Sequence, residues 1–182
     1  MAEKKKFFEV ELPIINQKAE LLASSEKQLI GRTVKIDLTR KLRGKSLEII
    51  FKITGEEGKL EPEPYRLHLL SYYIRRMMRK SVSYVENSFS AQCKDAKLRV
   101  KIFLITRKKV SRAVRKALRN QAKEEAEKMI NGRKYDEVFS EILSNKIQKA
   151  LSLKLKKIYP LSLCEIRDII AEKSKGKVKE EK

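Results

Sequence analysis

The sequence contains few of the residues from which catalytic and metal sites are commonly built. Among its 182 residues are one histidine, His68, and two cysteines, Cys93 and Cys164. The cysteines lie far apart and form no Cys-x-x-Cys pair or other ligand spacing, which favours two reduced thiols in an intracellular protein. A single histidine in a predicted helix is expected to be a surface or packing residue, not a general base. We therefore expect no enzymatic activity, no metal ion and no cofactor.

Long apolar runs are absent as well. No segment approaches the roughly 18 apolar residues of a membrane-spanning helix, and no apolar core follows Lys4, Lys5 and Lys6 as it would in a signal peptide. The glycine pair Gly55 and Gly58 encloses two glutamates, which carry the wrong charge for a phosphate-binding loop. These absences predict a soluble intracellular protein with no membrane attachment and no small-molecule substrate.

Positive charge, in contrast, is abundant. The chain has 44 Lys and Arg residues against 24 Asp and Glu residues, a formal net charge of +20 and a pI near 10.0. Self-repulsion of this size destabilises a compact monomer, so such a chain usually works against a polyanion. RNA or DNA ranks first because each neutralised phosphate releases condensed counterions. An anionic membrane ranks second and a polyacidic protein third.

The periodicity of apolar residues predicts an α+β fold. Alternation predicts antiparallel strands after Gly31 and at residues 47–54, 82–91, 97–106 and 163–170, and helical spacing predicts three helices at 65–80, 110–130 and 137–153. Residues 17–27 are expected to form a loop or one helical turn, and Pro62 and Pro64 are expected to exclude a central strand. We predict a partly closed, β-barrel-like core flanked by the helices, since closure hides sheet edges.

The predicted domain organisation is simple. Residues 1–12 form a basic N-terminal arm, residues 13–170 a single α+β RNA-binding domain, and residues 171–182 a disordered charged tail. No internal repeat or linker calls for two domains.

The strongest functional signal is a set of Lys and Arg groups with few carboxylates between them. A surface that serves only solubility mixes the two signs more evenly. The groups lie in the N-terminal arm, a hairpin loop, a helix end, a strand face, a long helix with the loop before it, and a second helix end. The candidate RNA-binding residues are Lys4, Lys5, Lys6, Arg40, Lys41, Arg43, Lys45, Arg75, Arg76, Arg79, Lys80, Lys97, Arg99, Lys101, Arg107, Lys108, Lys109, Arg112, Arg115, Lys116, Arg119, Lys154, Lys156 and Lys157.

The group around residues 107–119 is the sharpest of these. Arg112, Arg115, Lys116 and Arg119 recur at turn spacing on a helix, opposite an apolar face that includes Leu118, and such a ridge is suited to bridging phosphates. Zinc-finger, leucine-zipper and helix-turn-helix patterns are absent. Charge spread over loops, strands and helix ends favours irregular folded RNA over duplex DNA. A general DNA- or RNA-architectural protein remains the alternative.

Five groups of short motifs also occur in order along the chain. They are Lys5-Lys6-Phe7-Phe8-Glu9-Val10 with Pro13; Leu29-Ile30-Gly31-Arg32 with Asp37-Leu38-Thr39 and Phe51-Lys52-Ile53; the basic helix end 75–81; Lys97-Leu98-Arg99-Val100-Lys101; and Lys156-Lys157-Ile158-Tyr159-Pro160-Leu161 with Glu165-Ile166-Arg167. Together they resemble the S-three-A-e family of archaeal and eukaryotic small-subunit ribosomal proteins, in its shorter archaeal form.

The resemblance implies a β-barrel-like core flanked by helices and a structural, non-enzymatic role in translation without a cofactor. It implies a place on the platform of the small ribosomal subunit, in the cytoplasm, near the 3′ end of the ribosomal RNA and the messenger exit. The implied partners are ribosomal RNA, neighbouring small-subunit proteins and messenger RNA at the exit. The chain departs from the family pattern around residues 87–95, so no RNA contact is assigned there.

Overall fold

The computed structural model describes residues 5–42, 44–56 and 59–172. Their elements form an α+β fold with antiparallel strand pairs. The strands are β1 (Lys6–Leu12), β2 (Gln17–Ala23), β3 (Thr33–Asp37), β4 (Leu47–Glu56), β5 (Lys59–Leu69), β6 (Tyr84–Gln92), β7 (Lys97–Thr106) and β8 (Leu161–Glu172). The helices are α1 (Ser71–Met77), α2 (Arg112–Ile130), α3 (Tyr135–Leu143) and α4 (Lys146–Leu155).

The chain divides into two compact units between Leu67 and His68. The first unit contains the β1–β2 hairpin and strands β3 and β4, which pair antiparallel, with β5 beside β4. Its core is built from alternating residues that each element turns inward, and every strand of the unit contributes to it. The core residues are Ala23, Leu29, Val34 and Ile53, against which Phe8, Ala19, Leu21, Ile36 and Leu60 pack.

Two strands of the first unit contradict sequence expectations. Residues 17–23 form strand β2 and not a loop or helical turn, and Ala19, Leu21 and Ala23 alternate toward the core. Strand β5 contains Pro62 and Pro64. Because the two prolines are two residues apart, both missing N–H groups lie on the same edge of the strand, and the amides between them still point to the other edge.

Gly55 fixes the approach of β4 to β5. Its φ is +114°, and a Cβ atom there would collide with the backbone carbonyl oxygen of Lys59. Only glycine combines that backbone conformation with so close a neighbour, so the turn between the two strands depends on it.

The second unit is built around β7, which pairs antiparallel with β6 on one side and β8 on the other. Leu98, Val100, Ile102 and Leu104 alternate along β7 and are buried. Helix α2 packs on β6 and on α4, α4 also packs on β8, and α3 packs on α4. Helix α2 turns a buried line of residues at four-residue spacing toward this core, namely Leu118, Ala122, Ala126 and Ile130.

Four α-helices are present in the described residues, together with one 3-10 turn at Glu26–Gln28, and the prediction of three helices is wrong. Residues 65–69 belong to β5, in which Leu67 and Leu69 are buried on alternate positions, so the predicted helix 65–80 shrinks to the two turns of α1. The predicted helix 137–153 is broken at Asn145, whose φ of +58° is left-handed and separates α3 from α4.

The α+β class and the antiparallel pairing are confirmed, but the described strands close no barrel, since β3 and β6 each pair with one neighbour only. Strand β8 reaches Glu172, two residues into the predicted tail, and residues 173–182 lie outside the described ranges. A single domain over 13–170 stays a prediction.

Candidate nucleic-acid interface

Three arginines from two separate sequence groups line one groove of the second unit. The groove has a volume of about 400 Å³ and is lined by Arg76, Arg79 and Arg107 together with Ser81 and Ser162 among others. No carboxylate is among the described residues that line it. The antiparallel pairing of β6 with β7 explains the convergence, because the start of β6, which follows α1, and the end of β7 lie at the same end of the sheet. The groove is therefore lined by three positive side chains and two serines.

The backbone of the loop that carries Arg107 is held on both sides. The buried Thr106 hydroxyl lies 2.7 Å from the carbonyl oxygen of Lys108 and accepts the Ser83 N–H at 3.0 Å. The Ser83 hydroxyl accepts the N–H of Val110 at 3.2 Å, and the Arg107 N–H donates to the carbonyl oxygen of Pro160. The exposed side chains of residues 107–109 therefore extend from a backbone that these hydrogen bonds hold in place.

Helix α2 begins beside this loop with an unusual charge distribution. Ser111 caps it by accepting the Val114 N–H, and its first turn contains no acidic residue. A helix N-terminus is already partly positive, so Arg112 and Arg115 weaken the helix instead of stabilising it. The Nε atom of Arg115 is buried without a hydrogen-bond partner in the described part of the chain. These cations add to a helix end that attracts anions, and an anionic ligand would offset their cost.

Arg119, by contrast, has a structural role. Its Nε donates to the Glu86 carbonyl oxygen at 3.2 Å, and the Asn87 side-chain amide donates to the Arg119 carbonyl oxygen at 3.2 Å. These bonds fasten α2 to β6. Arg112, Lys116 and Arg119 are exposed, and all four cations of the predicted ridge stay predictions as RNA contacts.

Carboxylates neutralise two of the three candidate cations on β7. Arg99 Nε lies 3.0 Å from a carboxylate oxygen of Glu172, and Lys101 Nζ lies 3.4 Å from the buried carboxylate of Asp168. Both carboxylates come from β8, which pairs with β7. Lys97 is exposed. The sequence shows the cations of this face but not the strand that neutralises them.

The group at the end of α4 divides in a similar way. Lys156 and Lys157 are exposed, whereas Lys154 Nζ lies 2.5 Å from a carboxylate oxygen of Glu125 on α2. Glu125 is buried and also lies 3.4 Å from Lys128 Nζ. Lys154 therefore links two packed helices.

The Glu125 pair predicts an acid-sensitive contribution to stability. The hydrogen bond from Lys154 lowers the pKa of Glu125 below that of an ordinary carboxyl, which is about 4.3. Because the pKa is depressed in the folded state, the stabilisation is present above that ordinary value and is lost as the pH falls through the lowered pKa. Thermal unfolding between neutral and acid pH should show a weaker pH dependence for Glu125→Gln than for the native protein. The exposed neighbour Glu124→Gln serves as control, and pH curves of equal steepness for native protein and Glu125→Gln would contradict the assignment.

Among the remaining candidate cations, Arg75 on α1 and Lys80 just after it are exposed in the second unit, and the others belong to the first unit. Lys5, Lys6 and Arg40 are exposed, and Lys41 Nζ donates to the Ile15 carbonyl oxygen at 2.9 Å. Lys45 is half-buried. Lys4 and Arg43 lie outside the described residues. All of these cations stay predictions as RNA contacts.

Other reactive side chains form no catalytic arrangement in the described ranges. His68 lies on β5, not on a helix, with Nδ1 3.6 Å from Asp168 Oδ1. Both cysteines are buried and are not joined in a disulfide, and burial raises the pKa of Cys93 to about 11. Within residues 5–42, 44–56 and 59–172, no three His, Cys, Asp or Glu side chains group as metal ligands, and no helix there could span a bilayer.

Comparison with known proteins gives a consistent result. The small ribosomal subunit protein eS1 of Nanoarchaeum equitans is 29% identical over an alignment that covers 93% of this chain and 90% of that protein. The proteins of the same name from Halorubrum lacusprofundi and Ignicoccus hospitalis are 27% and 28% identical, covering 93% and 89% of this chain and 83% and 81% of theirs. The model of the Ribosomal S3Ae family matches residues 1–174. This match confirms the resemblance of the sequence motifs: the chain belongs to the Ribosomal S3Ae family.

Proposed function

We propose that the protein is a structural constituent of the small ribosomal subunit that binds ribosomal RNA through the groove of Arg76, Arg79 and Arg107 and the start of α2. The observation that carries this proposal is the convergence of the three arginines on one groove without a lining carboxylate among the described residues. Family membership supports the ribosomal role, and the relatives share the name small ribosomal subunit protein eS1. The role is structural and not enzymatic.

Phosphate is the ligand that the groove suits best. Guanidinium groups form paired hydrogen bonds with phosphate oxygens, and serine hydroxyls add neutral donors. Arg79 and Arg107 are exposed, and the Arg76 guanidinium lies 5.4 Å from the centroid of the Tyr73 ring. Because Thr106 and Ser83 already fix the loop, little conformational entropy is lost on binding. Contacts of this kind position the RNA backbone and do not read base sequence.

The family resemblance supports a proposal for the place of binding. The proposed site is the platform of the small subunit, near the 3′ end of the ribosomal RNA and the messenger exit, in cytoplasmic ribosomes. Neighbouring ribosomal proteins, and messenger RNA at the exit, complete the proposed partners. The protein would hold folded RNA in place by neutralising phosphates that approach one another.

A competition titration tests ribosomal RNA against the alternative of general nucleic-acid binding. A labelled fragment from the 3′ region of small-subunit ribosomal RNA is bound to the protein and displaced with unlabelled fragment or with duplex DNA of equal length. We expect the RNA to compete at least about tenfold better at the same salt concentration, because irregular RNA can contact several surfaces at once. Equal competition by DNA would favour the alternative. Release from isolated small subunits only at high salt would support the ribosomal assignment.

A further inference from the structure

The outer face of the β1–β2 hairpin differs from the rest of this basic chain. The strand register places Phe7 opposite Leu22, Glu9 opposite Glu20 and Glu11 opposite Lys18 on this face. All six side chains are exposed, with Phe7 70% and Leu22 44% accessible. The face therefore has an apolar end, followed by three glutamates and one lysine, in a protein of net charge +20.

The arrangement of charges on this face destabilises the hairpin in the isolated protein. Glu9 and Glu20 are direct cross-strand neighbours, and like charges at such positions destabilise a hairpin. Lys18 Nζ lies 3.3 Å from Glu9 and 3.5 Å from Glu11, and both interactions raise the pKa of Lys18. Glu20 has no ion pair with any residue of the described part. A negative surface of this kind repels RNA phosphates and attracts cationic groups.

The outer edge of β1 offers backbone groups beside this face. Among the strands described, β1 pairs only with β2, so the N–H and C=O groups on its other edge lack a strand partner. A groove of about 340 Å³ runs along residues 8–11 of β1, and Glu26, Lys59 and Leu60 line it as well. The free edge of β2, in contrast, is engaged where Arg32 Nη1 donates to the Leu22 carbonyl oxygen at 3.0 Å. The edge of β1 is therefore the open one.

We propose that the edge of β1 binds an extended, basic segment of another protein by strand addition. A strand added there extends the sheet, and its alternate side chains lie beside Phe7, Glu9 and Glu11 on the outer face. The chemistry of these three positions requires one apolar residue and two Lys or Arg residues at every second position of the partner. The cations of the segment would also offset the repulsion between Glu9 and Glu20. This surface belongs to the first unit and does not depend on the RNA-binding function.

A short peptide provides the test. The labelled probe Ser-Lys-Val-Lys-Val-Leu-Ser carries the required alternation. Its analogue, methylated on the backbone nitrogens of the second lysine and the leucine, has the same charge and side chains but lacks two of the N–H donors that face β1 when these residues lie beside Glu9 and Phe7. Binding to the full chain is measured by fluorescence anisotropy. We expect the methylated analogue to bind at least about tenfold more weakly, because strand addition depends on main-chain hydrogen bonds.

Paired variants test the charge requirement. Glu9→Gln combined with Glu11→Gln should weaken binding of the probe at least about tenfold while leaving the affinity for the ribosomal RNA fragment within about twofold. Glu124→Gln combined with Glu137→Gln, which removes two exposed charges from the second unit, should change neither. Circular dichroism verifies that both proteins fold.

Several results would overturn the proposal. Equal affinity for the methylated analogue would exclude strand addition, and no effect of the Glu9 and Glu11 changes would exclude charge recognition. If the probe does not bind at concentrations up to about 1 mM, the β1 edge has no useful affinity for such a segment. Displacement of the probe by the RNA fragment would assign the surface to RNA. A dimer of the protein alone that Phe7→Ser dissociates would assign it to a second copy. Failure of RNA binding with intact probe binding would affect only the proposed function.

Discussion

Replacing Arg79 and Arg107 with alanine is expected to weaken binding of the ribosomal RNA fragment by about 10- to 100-fold at physiological salt. Each substitution removes a guanidinium from the groove, and a charge-assisted hydrogen bond contributes roughly 1.5–3 kcal/mol when formed in full. Partial solvent screening reduces that figure at an exposed site. Both side chains are exposed and line the same groove, so the fold should keep its thermal stability. Filter binding or anisotropy at several salt concentrations measures the effect.

The salt dependence separates lost phosphate contacts from general charge loss. If both arginines contact phosphates, the slope of log K against log salt should become shallower by about 1.4 to 1.8. Lys134→Ala combined with Lys149→Ala removes the same charge from exposed positions elsewhere in the second unit. That control should lose little affinity. Equal losses for the two double variants would show that net charge alone, and not the groove, determines binding.

Thr106→Val is expected to lower the free energy of unfolding by about 1–3 kcal/mol, the cost of leaving buried polar groups without partners. Valine has nearly the shape of threonine but cannot accept the Ser83 N–H or donate to a carbonyl oxygen. The loop 107–110 loses its attachment on one side. RNA affinity should fall as well, because Arg107 would no longer stand on a fixed backbone. Urea denaturation followed by circular dichroism gives the stability.

Thr106→Ser is the matched control, since it retains the hydroxyl and removes only a methyl group. It should preserve most of the RNA affinity and lose less stability than Thr106→Val. If Thr106→Val unfolds at the same urea concentration as the native protein, the hydroxyl is not holding the loop. If its stability falls while RNA affinity stays unchanged, the loop position does not matter for binding.

Elements whose apolar residues follow only one period, that of a strand or that of a helix, could be predicted from the sequence. Strand β7 begins and ends at the predicted residues, and α2 begins two residues later than predicted and ends at the same one. Strands β2 and β5 could not be predicted. The alternation in β2 includes two alanines and is weak. At the end of β5, Leu67 and the following Leu70, which caps α1, fit a helical spacing equally well. The tertiary pairing with neighbouring strands decides between the two periods.

The candidate interface was predictable in composition but not in geometry. Counting cations identified Arg76, Arg79 and Arg107, yet their convergence depends on the β6–β7 register, which a charge count does not contain. The same limit applies to neutralisation, because Asp168 and Glu125 are distant in sequence from the lysines they bind. One signal in the sequence was the threonine at the end of β7, since a polar residue at the end of an apolar strand requires a partner when it is buried.

The glutamates of the β1–β2 hairpin also affect how the unbound protein aggregates. An open strand edge can pair with the same edge of another copy, which begins aggregation. In an antiparallel encounter of two β1 edges, Glu9 and Glu11 of one molecule would face the same residues of the other, and their repulsion disfavours the pair. The glutamates that are proposed to bind a basic strand therefore also disfavour edge-to-edge pairing between copies of this protein. Concentrated protein carrying Glu9→Gln and Glu11→Gln would lose part of that protection.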